Sequence, residues 1–224
     1  MLYLLRLISR LYIFIFYGRF YNLIINTFPF FKPIVQTRNN ESPVDFKGFL
    51  KFKIREPKIL PYWPMHRTST IVGSWRNVYV GIDAAPGISP GCYILANGKV
   101  YIDDYAQIAP NVGILSSNHF MLDIREHILG EVRIGKYCRI GMGTIIHPGV
   151  VLGDFTTVAA GTIVTQSFPQ GYCVIAGNPA ALVKDYSLDE RMKSKFLKYN
   201  NKYEYNGYIP KAEFDSFRTR YLNV

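Results

Sequence analysis

Cysteine is scarce in this sequence and is never paired at metal-ligand spacing. The 224 residues include three cysteines, Cys92, Cys138 and Cys173, and no CxxC motif. This pattern argues against a disulfide framework and is typical of a reducing compartment. Cys92 and Cys138 each follow an isoleucine by four residues, where a small side chain fits a repetitive core, so we interpret both as structural.

Long hydrophobic runs are also absent near the N-terminus. The longest uncharged stretch there, Phe20 to Phe31, is shorter than the ~20 apolar residues that cross a bilayer. The small-residue cleavage site of a secretory signal is not evident. We therefore expect residues 1–32 to form an amphipathic helix from about Leu2 to Asn26, interrupted by Arg6, Arg10 and Arg19. Such a helix lies at a membrane interface or packs on a partner subunit.

Acidic residues are few compared with basic ones. The chain has 26 Lys and Arg against 16 Asp and Glu, which gives a net charge of +10. This excess favours an anionic partner, such as a membrane surface or a phosphorylated small molecule, or it serves solubility alone. Nucleic acid is not expected as a partner, because no aromatic and basic platform is present. We expect a cytoplasmic protein, with peripheral contact at the inner face of the cell membrane as a further expectation.

Aliphatic residues recur at every sixth position in the second half of the chain. The set is Ile134, Ile140, Ile146, Leu152, Val158 and Val164. Helices repeat every 3.6 residues and strands every two, so a period of six predicts a parallel β-helix, or solenoid, built from stacked coils. Two shorter sets precede it: Ile82, Ile88 and Ile94, then Ile102, Ile108 and Ile114. We expect the solenoid to cover residues 78–184.

The repeat breaks between Ile114 and Ile134. Residues 116–130 do not fit the period, which predicts a loop extruded from the solenoid, where function tends to reside. The segments outside the solenoid are interpreted as a linker and end cap (33–77) and a helical C-terminal extension (185–224). Within the cap, Phe46 to Arg55 alternates apolar and basic residues and predicts a strand. Within the extension, a capping box at Ser187 to Glu190 predicts a helix from Leu188 to about Tyr199, and a second helix is expected from Lys211 to Tyr221.

Three stretches taken together resemble the hexapeptide-repeat acyltransferases. They are the run of hexads, the segment from Ala109 through Ser117-Asn118-His119, and Ala176-Gly177-Asn178-Pro179-Ala180. The sequence looks most like the bacterial sugar and capsular-polysaccharide O-acetyltransferases over about residues 78–184. The resemblance implies an all-β core in the form of a left-handed parallel β-helix. It also implies a homotrimer with active sites between subunits, acetyl-CoA as the donor, and a sugar hydroxyl of a cell-surface polysaccharide precursor as the acceptor.

The same resemblance assigns His119 as the catalytic base. A hydroxyl attacks a thioester well only when its proton is removed, and histidine, with an ordinary pKa of about 6.5, suits that task. Asn118 and Asn97 are candidates for binding the acceptor or facing the oxyanion. Asp123 is a candidate for orienting His119 or binding the acceptor, and is otherwise a solvated loop carboxylate. His127 is a candidate for acceptor binding, whereas His147 and His66 are interpreted as structural.

The resemblance places acetyl-CoA along the last coils. The implied contacts are Ala160, Gly161, Thr165, Gly177, Asn178, Pro179 and Lys184. The chain departs from the family at Gln166, where many members have lysine, and at Arg139, where sugar acetyltransferases often have tryptophan. No metal is expected, although a zinc enzyme on this fold would require three converging histidines. The alternatives are an acetyltransferase for a small non-sugar acceptor and a non-catalytic, membrane-associated scaffold.

Overall fold

The computed structural model describes residues 22, 23, 25–55, 60–191, 194 and 204–224. Most of the predicted helix from Leu2 to Asn26 lies outside the described residues, as does most of the predicted helix from Leu188 to Tyr199. The parts that are described, residues 22–23, 25–27, 190, 191 and 194, are helical. None of the described helices is both long enough and apolar enough to cross a membrane.

A triangular solenoid of three sheets forms the body of the molecule, and the chain visits sheets A, B and C in turn. Sheet A contains β1 (Thr70–Gly73), β3 (Tyr93–Ala96), β6 (Gly113–Leu115), β11 (Ile145–Ile146) and β14 (Ile163–Val164). Sheet B contains β2 (Val78–Val80), β4 (Val100–Ile102), β9 (Val132–Ile134) and β12 (Val151–Leu152). Sheet C contains β5 (Gln107–Ile108), β10 (Arg139–Ile140), β13 (Thr157–Val158), β15 (Cys173–Ala176) and β16 (Ala181–Asp185). Neighbouring strands pair in parallel, except that β16 runs antiparallel to β15.

The hexad residues form three inward columns, one for each sheet. In sheet A the register stacks Ile94, Ile114, Ile146 and Val164 directly on one another, and all four are buried. Full burial of such a side chain contributes about 1.5–3 kcal/mol, so the thin core depends on every coil supplying one aliphatic residue to each column. Cys138 fills a corner of this core, as predicted, and burial raises the pKa of its thiol to about 12.

One prediction for the end cap was wrong. Phe46–Arg55 is an α-helix, called here the cap helix, rather than a strand. Its apolar residues Phe46, Phe49 and Phe52 also recur at a spacing of three, which places them on one helical face, and Phe49 and Phe52 are buried. The Asp45 carboxylate accepts a hydrogen bond from the Gly48 N–H at 2.6 Å and caps the helix start.

The open end of the solenoid is closed by aromatic residues. Tyr62 and Trp63 are fully buried there, and the Trp63 indole N–H donates to the carbonyl of Pro86 at 2.9 Å. The first solenoid strand, β1, begins at Thr70, before the predicted start at residue 78.

The C-terminal segment returns to the same end of the solenoid. It forms β17 (Tyr205–Asn206), β18 (Ile209–Pro210) and a helix at Lys211–Tyr221, which confirms the second predicted helix. Phe214 and Phe217 of that helix pack on Tyr62, with ring centroids 5.6 and 5.1 Å apart. The remaining described helical segments are a short α-helix at Lys32–Gln36 and 3-10 turns at Pro29–Phe31 and Trp75–Asn77.

Candidate functional site

The extruded loop is a β-hairpin that replaces the turn between sheets A and B. Its strands are β7 (Ser117–His119) and β8 (His127–Leu129), which pair antiparallel. The buried Ser116 holds its base, because the Ser116 carbonyl accepts from the Gly130 N–H at 2.8 Å and the Ser116 hydroxyl accepts from the Gly98 N–H at 2.9 Å. A side chain on Gly98 would collide with the carbonyls of Gly130 and Ser116, so glycine is required at this close approach.

The two histidines of the hairpin face each other across its strands. His119 pairs with His127 in the register, and their ring centroids are 4.5 Å apart. The Nδ1 atom of His119 lies 2.7 Å from the carbonyl oxygen of Ile124. A carbonyl oxygen can only accept, so Nδ1 carries the proton of the neutral ring and Nε2 keeps the lone pair. The hairpin thus fixes the tautomer that a general base requires.

The two asparagines lie at the base of the hairpin. The side-chain oxygen of Asn118 accepts from the backbone N–H of His119 at 2.9 Å, which holds the start of the hairpin. Asn97 sits in the A-to-B turn one coil below, and its amide N–H donates to the hydroxyl of Ser117 at 3.1 Å. Both residues therefore adjoin the hairpin, with Asn97 already engaged in supporting it.

Asp123 does not contact the His119 ring in this structure. Its carboxylate forms two hydrogen bonds with the Arg125 guanidinium, at 2.9 and 2.7 Å, and a third with the Arg125 N–H at 3.0 Å. These bonds lower the pKa of Asp123. The group that orients His119 is instead the Ile124 carbonyl, which sequence reasoning missed because a hairpin tip has no period from which to infer it.

The predicted acetyl-CoA contacts lie on the last coils, at the opposite end of the solenoid from the cap, and all of them except Lys184 are in turns or at a strand end beside β14. Ala160 and Gly161 form the turn before β14, Thr165 follows β14, and Gly177-Asn178-Pro179 joins β15 to β16. The Ile163 N–H donates to the Gly177 carbonyl at 3.0 Å, and the Ala180 N–H donates to the Ile163 carbonyl at 2.8 Å. Lys184 lies on β16, with its ammonium 4.9 Å from the centroid of the Tyr186 ring.

The turns at residues 160–161 and 177–179, together called the turn cluster, are separated from the hairpin along the solenoid axis. The hairpin follows β6, whereas the cluster flanks β14, two strands further along sheet A, which corresponds to about 10 Å. An elongated ligand could reach both places along sheet A. The side-chain amide of Gln166 donates to the Ala180 carbonyl at 3.0 Å, so the residue at the lysine position supports this end of the solenoid.

The outward faces of the three sheets differ in character. Sheet B presents Tyr79, Tyr101, Arg133 and Val151, and sheet C presents Gln107, Arg139, Thr157 and Val174. Sheet A presents mainly apolar side chains: Val72, Tyr93, Leu95, Leu115, Ile145 and Ile163. Sequence reasoning missed this apolar face, although the aliphatic residues just before Ile146 and Val164 were an available indication.

The remaining histidines are placed apart from the pair. His147 lies in the A-to-B turn one coil above the hairpin, and His66 lies in the cap. Among residues that the structure describes, His, Cys, Asp and Glu side chains do not gather in groups of three that could hold a metal ion.

The chain is similar to known transferases in sequence. The family described as bacterial transferase hexapeptide (six repeats) matches residues 119–166. Galactoside O-acetyltransferase of Escherichia coli K12 is 33% identical over 111 residues, which cover 47% of this chain and 52% of that protein. The dTDP-4-amino-4,6-dideoxy-D-glucose acyltransferase of Escherichia coli is 32% identical over 120 residues, which cover 48% of this chain and 62% of that protein. The chain thus spans roughly half to two thirds of the length of the curated relatives it matches.

A solved structure shares the fold. It is a galactoside acetyltransferase in complex with coenzyme A, with a TM-score of 0.51 and 22% sequence identity. The superposition covers 79% of this chain and 98% of the other. Together with the hexapeptide match, this similarity establishes the left-handed parallel β-helix that the sequence predicted.

Proposed function

We propose that the chain is an acyltransferase of the hexapeptide-repeat family, because it is similar to such proteins in sequence and shares their fold, and that it transfers an acetyl group from acetyl-CoA to a hydroxyl of a sugar. The observation that carries the proposal is the contact between His119 Nδ1 and the Ile124 carbonyl oxygen, which in the neutral ring places the proton on Nδ1 and the lone pair on Nε2. We propose the sugar as a unit of a cell-surface polysaccharide precursor, because lipopolysaccharide and galactoside acetyltransferases are among the similar proteins.

The reaction follows from this tautomer. His119 Nε2 removes the hydroxyl proton while the sugar oxygen attacks the thioester carbonyl. The tetrahedral intermediate collapses by breaking the carbon–sulfur bond, and the imidazolium returns its proton to the departing sulfur. The side-chain amide of Asn118, at the hairpin base, is our candidate donor to the oxyanion, and Asn97, Asp123 and His127 are candidates for contacting the acceptor.

The donor is proposed to lie along sheet A. Ala160, Gly161, Thr165 and the Gly177–Pro179 turn would contact the distal part of acetyl-CoA, with Lys184 near a phosphate. The thioester would then reach the hairpin about 10 Å away, two strand spacings down the sheet. This path requires an extended molecule, which fits the pantetheine arm of coenzyme A.

A homotrimer is proposed to complete this site. The outward face of sheet A is apolar throughout most of its length, whereas those of sheets B and C include Arg133, Gln107 and Arg139, and exposed apolar patches of this kind mark interaction sites. Closed cyclic symmetry would cover the patch on every subunit without forming fibres. A Leu115→Asp variant should then dissociate, as measured by light scattering at micromolar concentration, whereas Thr157→Asp on sheet C should stay associated.

The proposal is tested by acceptor-dependent release of free coenzyme A. Purified protein, acetyl-CoA and a panel of sugars, nucleotide sugars and oligosaccharides should yield thiol and an acetylated sugar, identified by mass. Thiol release without any acetylated sugar, or with an acetylated amine as the product, would contradict the acceptor class. An inert protein that still binds acetyl-CoA would favour the scaffold alternative.

A further inference from the structure

A pocket lies in the cap, between the cap helix and residues 60–67. Its volume is about 500 Å³. Its floor is apolar, formed by side chains that include Phe52, Trp63 and Met65, and its rim carries Lys47, Lys51 and Arg67. It shares no residue with the hairpin or with the turn cluster at the other end of the solenoid.

Among the residues that the structure describes, the three cations on this rim have no ion-pair partner. Lys47, Lys51 and Arg67 are all exposed. The acidic residue at the pocket is Asp45, whose carboxylate accepts from the Gly48 N–H at 2.6 Å as the helix cap. The rim therefore keeps a net positive charge, which suits an anionic group held above an apolar floor.

The cap helix presents a surface that continues from this pocket. Lys47, Lys51 and Ile54 are spaced by four and then three residues, so they share one helical face. Ile54 is 76% exposed, although it is a large aliphatic residue on a structured helix. Phe30, also exposed, packs on Phe49 of the same helix with ring centroids 5.2 Å apart. Apolar and basic side chains thus alternate on the outside of the cap, as on proteins that lie on membranes.

The charge of the whole protein is concentrated in this region. Residues 29–67 contain eight Lys and Arg against three Asp and Glu. Their net charge of +5 is half of the +10 carried by the entire chain, in about a sixth of its length. Because of this asymmetry, the cap is attracted to an anionic surface more strongly than the part of the solenoid that carries the hairpin.

We propose that the cap docks on an anionic lipid surface, with lipid phosphates bound between Lys47, Lys51 and Arg67 and with Ile54 and Phe30 entering the interface. The catalytic hairpin and the donor site are not used in this contact. Acetyl transfer to a soluble acceptor is therefore independent of it.

Vesicle co-sedimentation of the full chain tests the proposal. Vesicles of phosphatidylcholine with 30% phosphatidylglycerol should pellet the wild type, and pure phosphatidylcholine should not. Each basic side chain at an anionic surface contributes roughly fivefold to partitioning, so Lys47→Gln/Lys51→Gln/Arg67→Gln should bind about 100-fold more weakly. The control Lys99→Gln/Arg139→Gln/Arg191→Gln removes the same charge away from the cap and should retain most of the binding. Ile54→Ser should weaken the binding that persists at high salt, where screening suppresses the charge contribution.

Three outcomes would overturn the proposal. One is equal binding of the wild type to both kinds of vesicle. Another is equal loss of binding in the cap and control triple variants, which would mean that the net charge of the protein, rather than the cap, determines vesicle binding. The third is saturable binding of glycerol 3-phosphate in solution without vesicle binding, which would make the pocket a site for a small phosphorylated ligand.

Discussion

Residues 132–164 and residues 117–129 are close in sequence but follow different physical rules. The first segment consists of coils in which each hexad places an aliphatic residue in the core. The second is a hairpin in which Met121 and Leu122 are 95% and 86% exposed and both histidines face solvent. The coils supply stability through burial, whereas the hairpin supplies polar groups in a defined geometry at the edge of that rigid body. Substitutions should separate these two contributions.

The largest expected effect is on turnover, from His119→Asn in the hairpin. General-base catalysis contributes typically ~10²–10⁴-fold, so turnover should fall by about that factor. The exposed ring is not part of the core, and the melting temperature should therefore change little. Steady-state assays and thermal unfolding measure the two quantities. His66→Asn, in the cap, is the matched control, and full turnover in the His119 variant would refute the base assignment.

The next effect is on stability, from Ile134→Ala in the first coil after the hairpin. Ile134 is completely buried, and removing such a side chain lowers the free energy of unfolding by about 2–5 kcal/mol. Turnover per folded molecule should be retained at low temperature. Ile128→Ala, in the exposed strand β8, is the control and should change the unfolding free energy by less than about 0.5 kcal/mol. Urea denaturation of both variants would show whether burial alone separates coil from hairpin.

Gly98→Ala probes the contact between the two regions. The added methyl group would meet the carbonyls of Ser116 and Gly130 at the hairpin base. Overpacking of this kind costs about 1–3 kcal/mol, and the displaced hairpin should lose turnover as well. Gly143→Ala adds a methyl group that meets the Gly161 nitrogen at an ordinary contact distance of 4.0 Å, although its φ of +71° adds some strain. A Gly98→Ala enzyme with normal stability and turnover would show that the hairpin base is adaptable.

The sequence predicted the coils far better than the cap or the hairpin. One inward residue in every hexad is a strict requirement, so Ile134 to Val164 could be placed from spacing alone. Phe46–Arg55 fits both the strand and the helix period, and its helix depends on packing of Phe49 and Phe52 that spacing does not specify. The break after Ile114 located the hairpin, but the His119–Ile124 bond and the pairing with His127 depend on how its tip folds.

A smaller, pH-dependent effect is expected where the cap meets the solenoid. The buried Asp83 carboxylate accepts N–H groups of Ser42 and Glu41 at 3.0 and 3.4 Å, and burial raises its pKa from 3.8 to about 6. The folded state then holds the proton more tightly than the unfolded state between about pH 4 and 6. Stability should therefore fall as pH rises through that window, by about 1–3 kcal/mol.

Asp83→Asn tests this by removing the titration. The asparagine oxygen can still accept one of the two N–H groups, and the variant should lack the fall in stability between pH 4 and 6. Urea titrations at pH 4 and pH 7.5 measure the difference for each protein. If wild type and variant show the same pH dependence, another group is responsible, such as the half-buried Asp103, whose pKa is also raised by partial burial.

The smallest effect on the free energy of unfolding is expected within the coils. Two corners of the solenoid adopt the same left-handed backbone conformation with different kinds of residue. At the corner where the chain passes from sheet C to sheet A, the left-handed positions include Asn111, Gly143 and Gly161, with φ of 58°, 71° and 70°. At the corner where it passes from sheet B to sheet C, they include Tyr105, Tyr137 and Phe155, with φ of 62°, 57° and 57°. A side chain in this region costs about 1–2 kcal/mol, and asparagine tolerates it better than tyrosine.

Stacking explains why aromatic residues are retained at the second corner. The Tyr137 ring lies 4.9 Å from that of Tyr105 and 4.6 Å from that of Phe155, with interplanar angles of 20° and 11°. Each such pair contributes about 0.5–1.5 kcal/mol, so two pairs slightly outweigh the backbone strain. Tyr137→Asn should therefore destabilise the protein by only about 1 kcal/mol in urea denaturation. Gly143→Tyr introduces the same strain at a corner without such a column and should cost about 1–2 kcal/mol. A stabilised Tyr137→Asn variant would mean that strain exceeds stacking, and that the aromatic column is kept for a reason other than stability.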